Sequence, residues 1–254
     1  MIEKTHPAFE PGAILRVGSK SGELHCQRLI MKAAPNTAKA MSKHWNGRAH
    51  RFNGAASHKR NHDDWKSVFS AALGEDARTA VDLGCGTGAC ALMLAELGHR
   101  VTAVDGSEGM LSHARQDAED RGLTVDFVHS SMDDADLADE SADIVTLRNV
   151  LWTLESPTDA LALAERILRP GGQVFVSDGL WFLHRENDSA EEFGGHLPFF
   201  NGLTESDARS MLNEAGFQDV QSWGHLFQNH PYGAVYDDST RQIEYFVLTA
   251  TKPR

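Results

Sequence analysis

The sequence has few cysteines and no long apolar run. Only three cysteines occur among the 254 residues, Cys26, Cys85 and Cys90, and their spacing forms no paired pattern. Neither a disulfide framework nor a cysteine-rich zinc site is therefore expected. No apolar stretch approaches the roughly 18 residues that span a bilayer, and residues 1–6 lack the apolar region of a signal peptide. These absences predict a cytoplasmic protein without a membrane partner.

Basic residues are fewer than acidic ones, and they are unevenly distributed. The formal net charge is −12, from 24 Lys and Arg against 36 Asp and Glu. Residues 1–66 hold 12 of the basic residues and only 5 of the acidic ones. The negative total argues against a nucleic-acid partner, because binding to phosphate backbones requires a concentrated basic face. The basic first segment either packs across an acidic core or captures an anionic substrate, and composition leaves both interpretations open.

Short apolar segments alternate with helical patterns through most of the chain. Strands are predicted at 79–83, 100–105, 125–128, 142–147 and 173–178, with later β segments at 219–225 and 242–252. Intervening helices are predicted at 108–121, 157–168 and 205–215, with a proline–glycine turn at 169–172. This alternation implies parallel strands with right-handed crossovers. The predicted fold is a Rossmann-like, doubly wound α/β fold with a mostly parallel seven-stranded sheet and a C-terminal antiparallel hairpin.

The N-terminal part of the chain has a different character. Residues 1–40 show no sustained hydrophobic periodicity and are predicted to form an extension. The pattern of residues 36–73 predicts two helices, with an interruption near Asn53 and Gly54. We expect a helical cap at 41–75 and one catalytic domain at 76–254.

Three glycines directly follow the first predicted strand. Gly84, Gly86 and Gly88 stand between that strand and a helical pattern. The absence of side chains lets a ligand approach the backbone and the helix N-terminus closely, which predicts a nucleotide-like ligand. Asp105 ends the next strand, where a carboxylate can accept hydrogen bonds from both ribose hydroxyls.

Two features disfavour a dinucleotide as that ligand. The G-x-G-x-x-G fingerprint needs a glycine where this chain has Ala89. Asp82 precedes the loop, and its carboxylate would repel a pyrophosphate but suits a positively charged amine or sulfonium. The residues therefore favour a cationic cofactor over NAD.

The same stretch resembles the class I S-adenosylmethionine-dependent methyltransferases of the small-molecule type. Residues 81–88 (VDLGCGTG) are similar to the first motif of that family, and residues 104–111 (VDGSEGML) are similar to its ribose-binding strand end. Residues 148–152 and 168–172 are similar to its fourth strand end and to the turn before its fifth strand. The resemblance covers residues 45–253 and implies S-adenosylmethionine as the cofactor.

The resemblance also implies a cofactor site. The three glycines would line the methionine moiety with Asp82 near its amino group, and Asp105 would hold the ribose. Ser131 stands where the family commonly has an acid that binds the adenine. The residues implied in cofactor binding are Trp45, Arg48, Asp82, Gly84, Gly86, Gly88, Asp105, Gly106, Ser107, Met110, Ser131, Met132 and Arg148.

Trp45, Arg48 and Phe52 have i, i+3, i+7 spacing and so project from one helix face. Trp45 and Arg48 resemble the family's cap over the methionine carboxylate, which predicts a helix that covers the cofactor. In the alternative, Trp45 and Phe52 only anchor the helix, and Arg48 pairs with a surface acid.

Residues that bind the methyl acceptor are expected at the carboxyl ends of strands and in lids. Methyl transfer needs an aligned lone pair on the acceptor and, for many acceptors, the removal of a proton. The predicted acceptor-binding residues are Asn149, Trp152, Trp181, Phe182, Arg185 and Phe199. Trp181 and Phe182 either wall a flat substrate or plug the core. His196 is the leading candidate for a general base and His184 the second, although a loop histidine also serves as a structural hydrogen-bonding group.

These observations favour methyl transfer to a heteroatom, oxygen or nitrogen, of a small molecule in specialised metabolism. Two alternatives stay open: a methyltransferase acting on a peptide, protein or nucleic acid, and a non-catalytic S-adenosylmethionine-binding protein. No metal is predicted, because His58 and His62 have helical spacing but no third ligand. The expected partner is a small-molecule methyl acceptor, and the expected state is a monomer or homodimer.

Overall fold

The chain folds into one mixed sheet flanked by helices. A computed structural model describes residues 35–54, 61–181, 197–232 and 244–254. The strands are β1 (Thr79–Leu83), β2 (Arg100–Asp105), β3 (Asp126–His129), β4 (Ala142–Arg148), β5 (Leu168–Gly179), β6 (Gln218–Ser222) and β7 (Tyr245–Thr251). The helices are α1 (Pro35–Gly54), α2 (His62–Leu73), α3 (Ala89–Glu96), α4 (Glu108–Asp120), α5 (Pro157–Ile167) and α6 (Glu205–Glu214).

The sheet confirms the predicted fold class. Its seven strands have the order β3-β2-β1-β4-β5-β7-β6, and β7 is antiparallel to both of its neighbours. The central strand β1 pairs in parallel with β2 on one side and with β4 on the other. The connections that leave β1 and β4 therefore run towards opposite edges of the sheet. At such a point a crevice opens at the carboxyl ends of the two strands, here β1 and β4.

Apolar layers cover both faces of the sheet. On one face, α5 and α6 bury Leu161 and Leu212 against Leu147 and Val176. On the other face, α2, α3 and α4 pack with the central strands around Phe69, Leu94 and Phe175, among other residues. Parallel strands buried on both faces account for the nearly continuous apolar runs in the sequence.

Several helices begin at residues that satisfy their first backbone N–H groups. The Ser107 hydroxyl accepts from the Met110 amide at 3.2 Å at the start of α4. Thr204 and Asp207 form a capping box at the start of α6. Pro157 begins α5, where its missing N–H costs nothing. The helix starts are therefore fixed by local chemistry.

The predicted turn at 169–172 is only partly right. Helix α5 ends at Ile167 as the proline and glycines require, but the chain enters β5 at once, at Leu168. Ala142 pairs with Leu168 and Ile144 pairs with Gln173, so the residues between them form a bulge within the strand. Backbone hydrogen bonds from Gly171 to Lys252 and from Lys252 to Gly172, each 2.9 Å, hold this bulge against the end of the chain.

Other predicted bounds also differ from the structure, most of them by one to three residues. Strand β6 ends at Ser222, and a one-turn 3₁₀ helix follows at Gly224–Leu226 where the prediction extended the strand. The two N-terminal helices are present as predicted, although α1 already begins at Pro35, ahead of the proposed cap boundary. Within the described ranges, no helix has the length and apolar character needed to cross a membrane.

Candidate active site

The glycine loop lies at the carboxyl end of β1. Gly84, Gly86 and Gly88 have φ angles of 70°, 54° and 85°, in the left-handed region that favours glycine. A Cβ on Gly84 would lie 2.4 Å from Val150 Cγ2 and 2.9 Å from Met132 Cε. Gly84 is therefore required both by its backbone conformation and by the close approach of these neighbours.

Asp105 connects the glycine loop to the segment after β2. Its Oδ2 accepts from the Gly86 amide and its Oδ1 from the Ser107 amide, each at 2.8 Å. Burial raises the pKa of Asp105, and these two amides offset only part of that effect. Each carboxylate oxygen can accept a second hydrogen bond, so the group retains capacity for a ligand hydroxyl.

Asp82 is directed into the protein. It is 1% exposed, its Oδ1 accepts from the Thr146 hydroxyl at 2.6 Å, and its Oδ2 accepts from the Ala91 amide at 3.0 Å. Burial raises the pKa of Asp82 to about 6. The carboxyl group therefore fixes the N-terminus of α3 beneath the loop, and its predicted proximity to the amino group of a cofactor stays a prediction.

Arg148 is a buried cation at the end of β4. Its guanidinium carbon lies 3.9 Å from the ring centroid of Trp65 on α2. Among the described residues, its Nε and Nη2 have no hydrogen-bond partner, and the same holds for Thr87 Oγ1 in the glycine loop and for Trp65 Nε1. Buried donors without partners are costly, so this cluster is suited to receive an anionic or strongly accepting ligand group.

Helix α1 lies across the ends of β2 and β4. Asn46 Oδ1 accepts from the Ser107 hydroxyl at 2.8 Å and from the Gly109 amide at 2.7 Å. On a neighbouring face, the Trp45 ring lies 6.1 Å from that of Trp152, in the 3₁₀ turn after β4, and 5.6 Å from that of Phe52. The helix thus bridges the two strand ends, and half-buried Arg48 belongs to this same helix.

Aromatic side chains line the ends of β4 and β5. Trp152 contacts Phe200 with 6.4 Å between centroids, and both pack with α1 residues. Trp181 meets the Tyr232 ring edge to face at 4.8 Å. Phe199 is half-buried and, like Trp152, packs against the core layer of α5 and α6, and its predicted contact with the acceptor stays a prediction. Apolar walls therefore stand on both sides of these strand ends.

Asp178 supports one of these walls. It is fully buried, and its Oδ1 accepts from Trp181 Nε1 at 2.5 Å and from the Gly179 amide at 3.0 Å. Its Oδ2 faces the Leu151 and Trp152 amides without a hydrogen bond of standard geometry. Burial raises the pKa of Asp178 to about 7, despite these donors.

A hydrogen-bonded chain crosses the ends of β4 and β5. The Tyr232 hydroxyl donates to Asn149 Oδ1 at 2.9 Å and lies 3.1 Å from Ser177 Oγ. Asn149, the predicted acceptor residue, has a φ of 55°, and its amide donates to the Ser177 carbonyl at 2.8 Å. Tyr232 is buried and comes from the segment after β6.

The predicted residues of the adenine side follow strands β2 and β3. The Ser131 hydroxyl donates to Asp134 Oδ2 at 2.8 Å and accepts from the Asp134 amide at 3.2 Å. Met110 is buried within α4, and the Met132 methyl group covers Gly84. Gly106 follows Asp105 directly, where a Cβ would lie 2.7 Å from Ser42 Oγ of α1.

Four predicted acceptor or catalytic residues lie outside the described residues: Phe182, His184, Arg185 and His196. His58 lies outside them too, while His62 Nε2 lies 3.2 Å from Glu96 Oε2. The sequence pattern marks Asp178, which ends the fifth predicted strand as Asp105 ends the second, and residues 178–185 are candidates for the acceptor side. No local signal marks Trp65 or Tyr232 as a candidate site residue.

Comparisons with known proteins give the family. The description "Methyltransferase domain" applies to the family that matches residues 81–176. The ubiquinone biosynthesis O-methyltransferase of Roseobacter denitrificans is 36% identical over 183 residues, which are 67% of this chain and 71% of the relative.

Solved structures of lower identity share the fold. Magnesium protoporphyrin IX methyltransferase from Synechocystis, solved with bound S-adenosylhomocysteine, is 20% identical with a TM-score of 0.55, covering 78% of this chain and 84% of that one. The [4+2]-cyclase SpnF is 21% identical with a TM-score of 0.57, covering 75% of this chain and 80% of that one. A cyclase on this fold shows that the fold alone does not determine the chemistry.

Proposed function

Because the chain belongs to the class I S-adenosylmethionine-dependent methyltransferases, we propose that it methylates a heteroatom, oxygen in preference to nitrogen, of a small aromatic molecule. The observation that carries this proposal is the pair of half-buried aromatic side chains at the ends of β4 and β5, Trp152 packed on buried Phe200 and Trp181 packed on buried Tyr232. Flat apolar molecules pack well between such rings. Relatives named as O-methyltransferases support an oxygen acceptor.

The residues at the ends of β1 and β4 fit S-adenosylmethionine. Gly86 has a φ of 54° and no atom within 4 Å of its Cβ position, so a ligand can approach the backbone of the loop closely there. Arg148, with two N–H groups lacking partners among the described residues, is suited to the methionine carboxylate. Arg48 on α1 is the second candidate for that role, and Asp105 is suited to the ribose hydroxyls.

When bound, the cofactor supplies a methyl group on a cationic sulfur. The chain's own contribution is to bind the two reactants, align them and exclude water. In this proposal α1 covers the strand ends through Trp45, the aromatic walls orient the acceptor, and Asp178 fixes Trp181 in its wall. His196 and His184 remain the predicted groups for removing an acceptor proton.

The exposed cations of α1 bear on the charge of the acceptor. Among the ion pairs of the described residues, none includes Lys39, Lys43 or Arg51. Helix α1 carries no acidic residue. This arrangement is compatible with the capture of an anionic acceptor, since surface cations steer anions towards a site.

The proposal is tested by the release of S-adenosylhomocysteine from S-adenosylmethionine in the presence of single acceptors. We expect release with 3,4-dihydroxybenzoate or catechol, and faster release with the anionic compound at low salt than at high salt. Release with a basic peptide or an RNA oligonucleotide, and with none of the small aromatics, would establish the macromolecular alternative. Binding of the cofactor without turnover of any acceptor would support the non-catalytic one.

A further inference from the structure

Tyr232 and Asn149 form a buried polar pair beside the proposed acceptor site. We propose that Tyr232 is a positioning residue, which holds the Asn149 carboxamide so that its Nδ2 group donates to an oxygen of the acceptor. This inference rests on the proposed function. It narrows the acceptor to molecules with a hydroxyl or carbonyl oxygen next to the reacting atom, such as vicinal diphenols and hydroxyketones.

The hydrogen bonds have a defined direction. A phenol carries one proton, and Tyr232 donates it to Asn149 Oδ1 at 2.9 Å, so the Ser177 hydroxyl must donate to Tyr232 across 3.1 Å. Burial raises the pKa of Tyr232, although Arg148 opposes the change, and the hydroxyl keeps its proton. The chain therefore ends on the Asn149 oxygen. The Asn149 oxygen is occupied by this hydrogen bond, so the Nδ2 group is the part of the carboxamide that can donate to a ligand.

Asn149 lies between the two halves of the proposed site. The next residue, Val150, packs over Gly84 of the glycine loop. Trp152, two residues further along, belongs to an aromatic wall and contacts Trp45 of α1. Asn149 itself is half-buried, with a left-handed φ of 55°. Asparagine adopts that conformation more readily than most non-glycine residues, and the hydrogen bond from Tyr232 fixes its side chain.

Tyr232 is itself held in place and acts through Asn149. Its ring contacts Trp65 at 5.8 Å, Trp181 at 4.8 Å and Tyr245 at 6.1 Å between centroids. It is only 3% exposed, so the acceptor meets Asn149 and not the phenol. Rings packed on several sides restrict the hydroxyl to one position, which is the requirement for orienting a neighbouring amide.

Tyr232→Phe removes the hydroxyl and keeps the ring. At saturating S-adenosylmethionine with catechol as the probe, we expect kcat/KM to fall roughly tenfold, the loss of one hydrogen bond that orients the acceptor. The dissociation constant for S-adenosylhomocysteine should stay within about twofold, since the phenylalanine ring keeps the contact with Arg148, whose guanidinium carbon lies 5.6 Å from the ring centroid. Tyr245→Phe is the matched control, because its hydroxyl donates to the Gly224 carbonyl at 3.3 Å and not to Asn149.

Asn149→Ala and the double variant, which combines Asn149→Ala with Tyr232→Phe, complete a double-mutant cycle. If Tyr232 acts through Asn149, the double variant loses no more activity than Asn149→Ala alone. Losses that multiply, or full activity of Tyr232→Phe, would overturn the inference. Thermal melts of each variant separate unfolding from misalignment.

A spectroscopic measurement keeps this inference separable from the proposed function. In ¹⁵N spectra of the full chain with S-adenosylhomocysteine, the Asn149 side-chain NH₂ signal is the one that Asn149→Ala removes. Tyr232→Phe should shift that signal and Tyr245→Phe should not. A shift without turnover of any aromatic acceptor would mean that the proposed acceptor class is wrong and the positioning role right. Turnover of catechol by a Tyr232→Phe protein with an unshifted signal would refute the positioning role.

Discussion

Replacing Asp178 by asparagine should change stability in a pH-dependent way. Burial raises the pKa of Asp178 from 3.8 to about 7. Because the folded-state pKa lies above the unfolded one, the folded protein keeps the proton in a range where the unfolded chain releases it. Any stability that this group contributes is complete below the unfolded pKa and is lost as the pH rises through the folded pKa. At about 1.4 kcal/mol per pKa unit, the loss reaches about 4 kcal/mol.

The asparagine variant cannot ionise and therefore avoids this loss. Its oxygen still accepts from Trp181 and Gly179, while its NH₂ group faces the Leu151 and Trp152 amides. That second contact is unfavourable but independent of pH. The stability of Asp178→Asn relative to the native protein should therefore increase steadily between about pH 4 and pH 7 and level off above that range.

Urea unfolding at several pH values measures this difference. The exposed carboxyl of Asp126 provides the control, since Asp126→Asn also removes one carboxyl group but not a buried one. The stability that the buried Asp82 contributes is also lost in this range. Both proteins contain Asp82, so its effect cancels in the difference between them. A difference between Asp178→Asn and the native protein that does not vary with pH would refute the reasoning.

Three further predictions concern the cofactor site and its cover. Gly84→Ala should abolish S-adenosylhomocysteine binding in calorimetry, whereas Gly98→Ala, which shares the positive φ but has open space around a Cβ, should bind normally. Asp105→Ala should weaken that binding by roughly 1–3 kcal/mol through the unpaired ribose hydroxyls, and an unchanged dissociation constant would show the carboxylate to be misplaced. Asn46→Ala removes the acceptor for Ser107 and Gly109, so amide hydrogen exchange within α1 should accelerate by about tenfold or more; unchanged exchange would mean that α1 is held by its apolar face alone.

The parts of the fold that were predictable are those with local signals. β1 and β2 match their predicted bounds, because apolar runs end at a glycine loop and at Asp105. α4 starts where Ser107 caps it. The prediction of β5 is too short, since proline and two glycines indicate a turn locally, whereas Leu168 already pairs with Ala142 of β4 and the intervening residues form a bulge.

Residues of the candidate site that end a strand could be predicted from the sequence. Residues that reach the site from other parts of the fold could not. Asp105 and Asn149 follow from the strand pattern. Tyr232 enters from the connection after β6, and only the tertiary fold brings its hydroxyl to Asn149. The stacking of Arg148 on Trp65 likewise joins residues far apart in the chain. Periodicity carries no information about such contacts.

Calorimetric titration of the full chain with S-adenosylhomocysteine and, separately, with NAD tests the central claim most directly. The account predicts a dissociation constant for S-adenosylhomocysteine in the range of roughly 1–100 micromolar and no heat of binding with NAD. Tight binding of NAD together with no response to S-adenosylhomocysteine would contradict it.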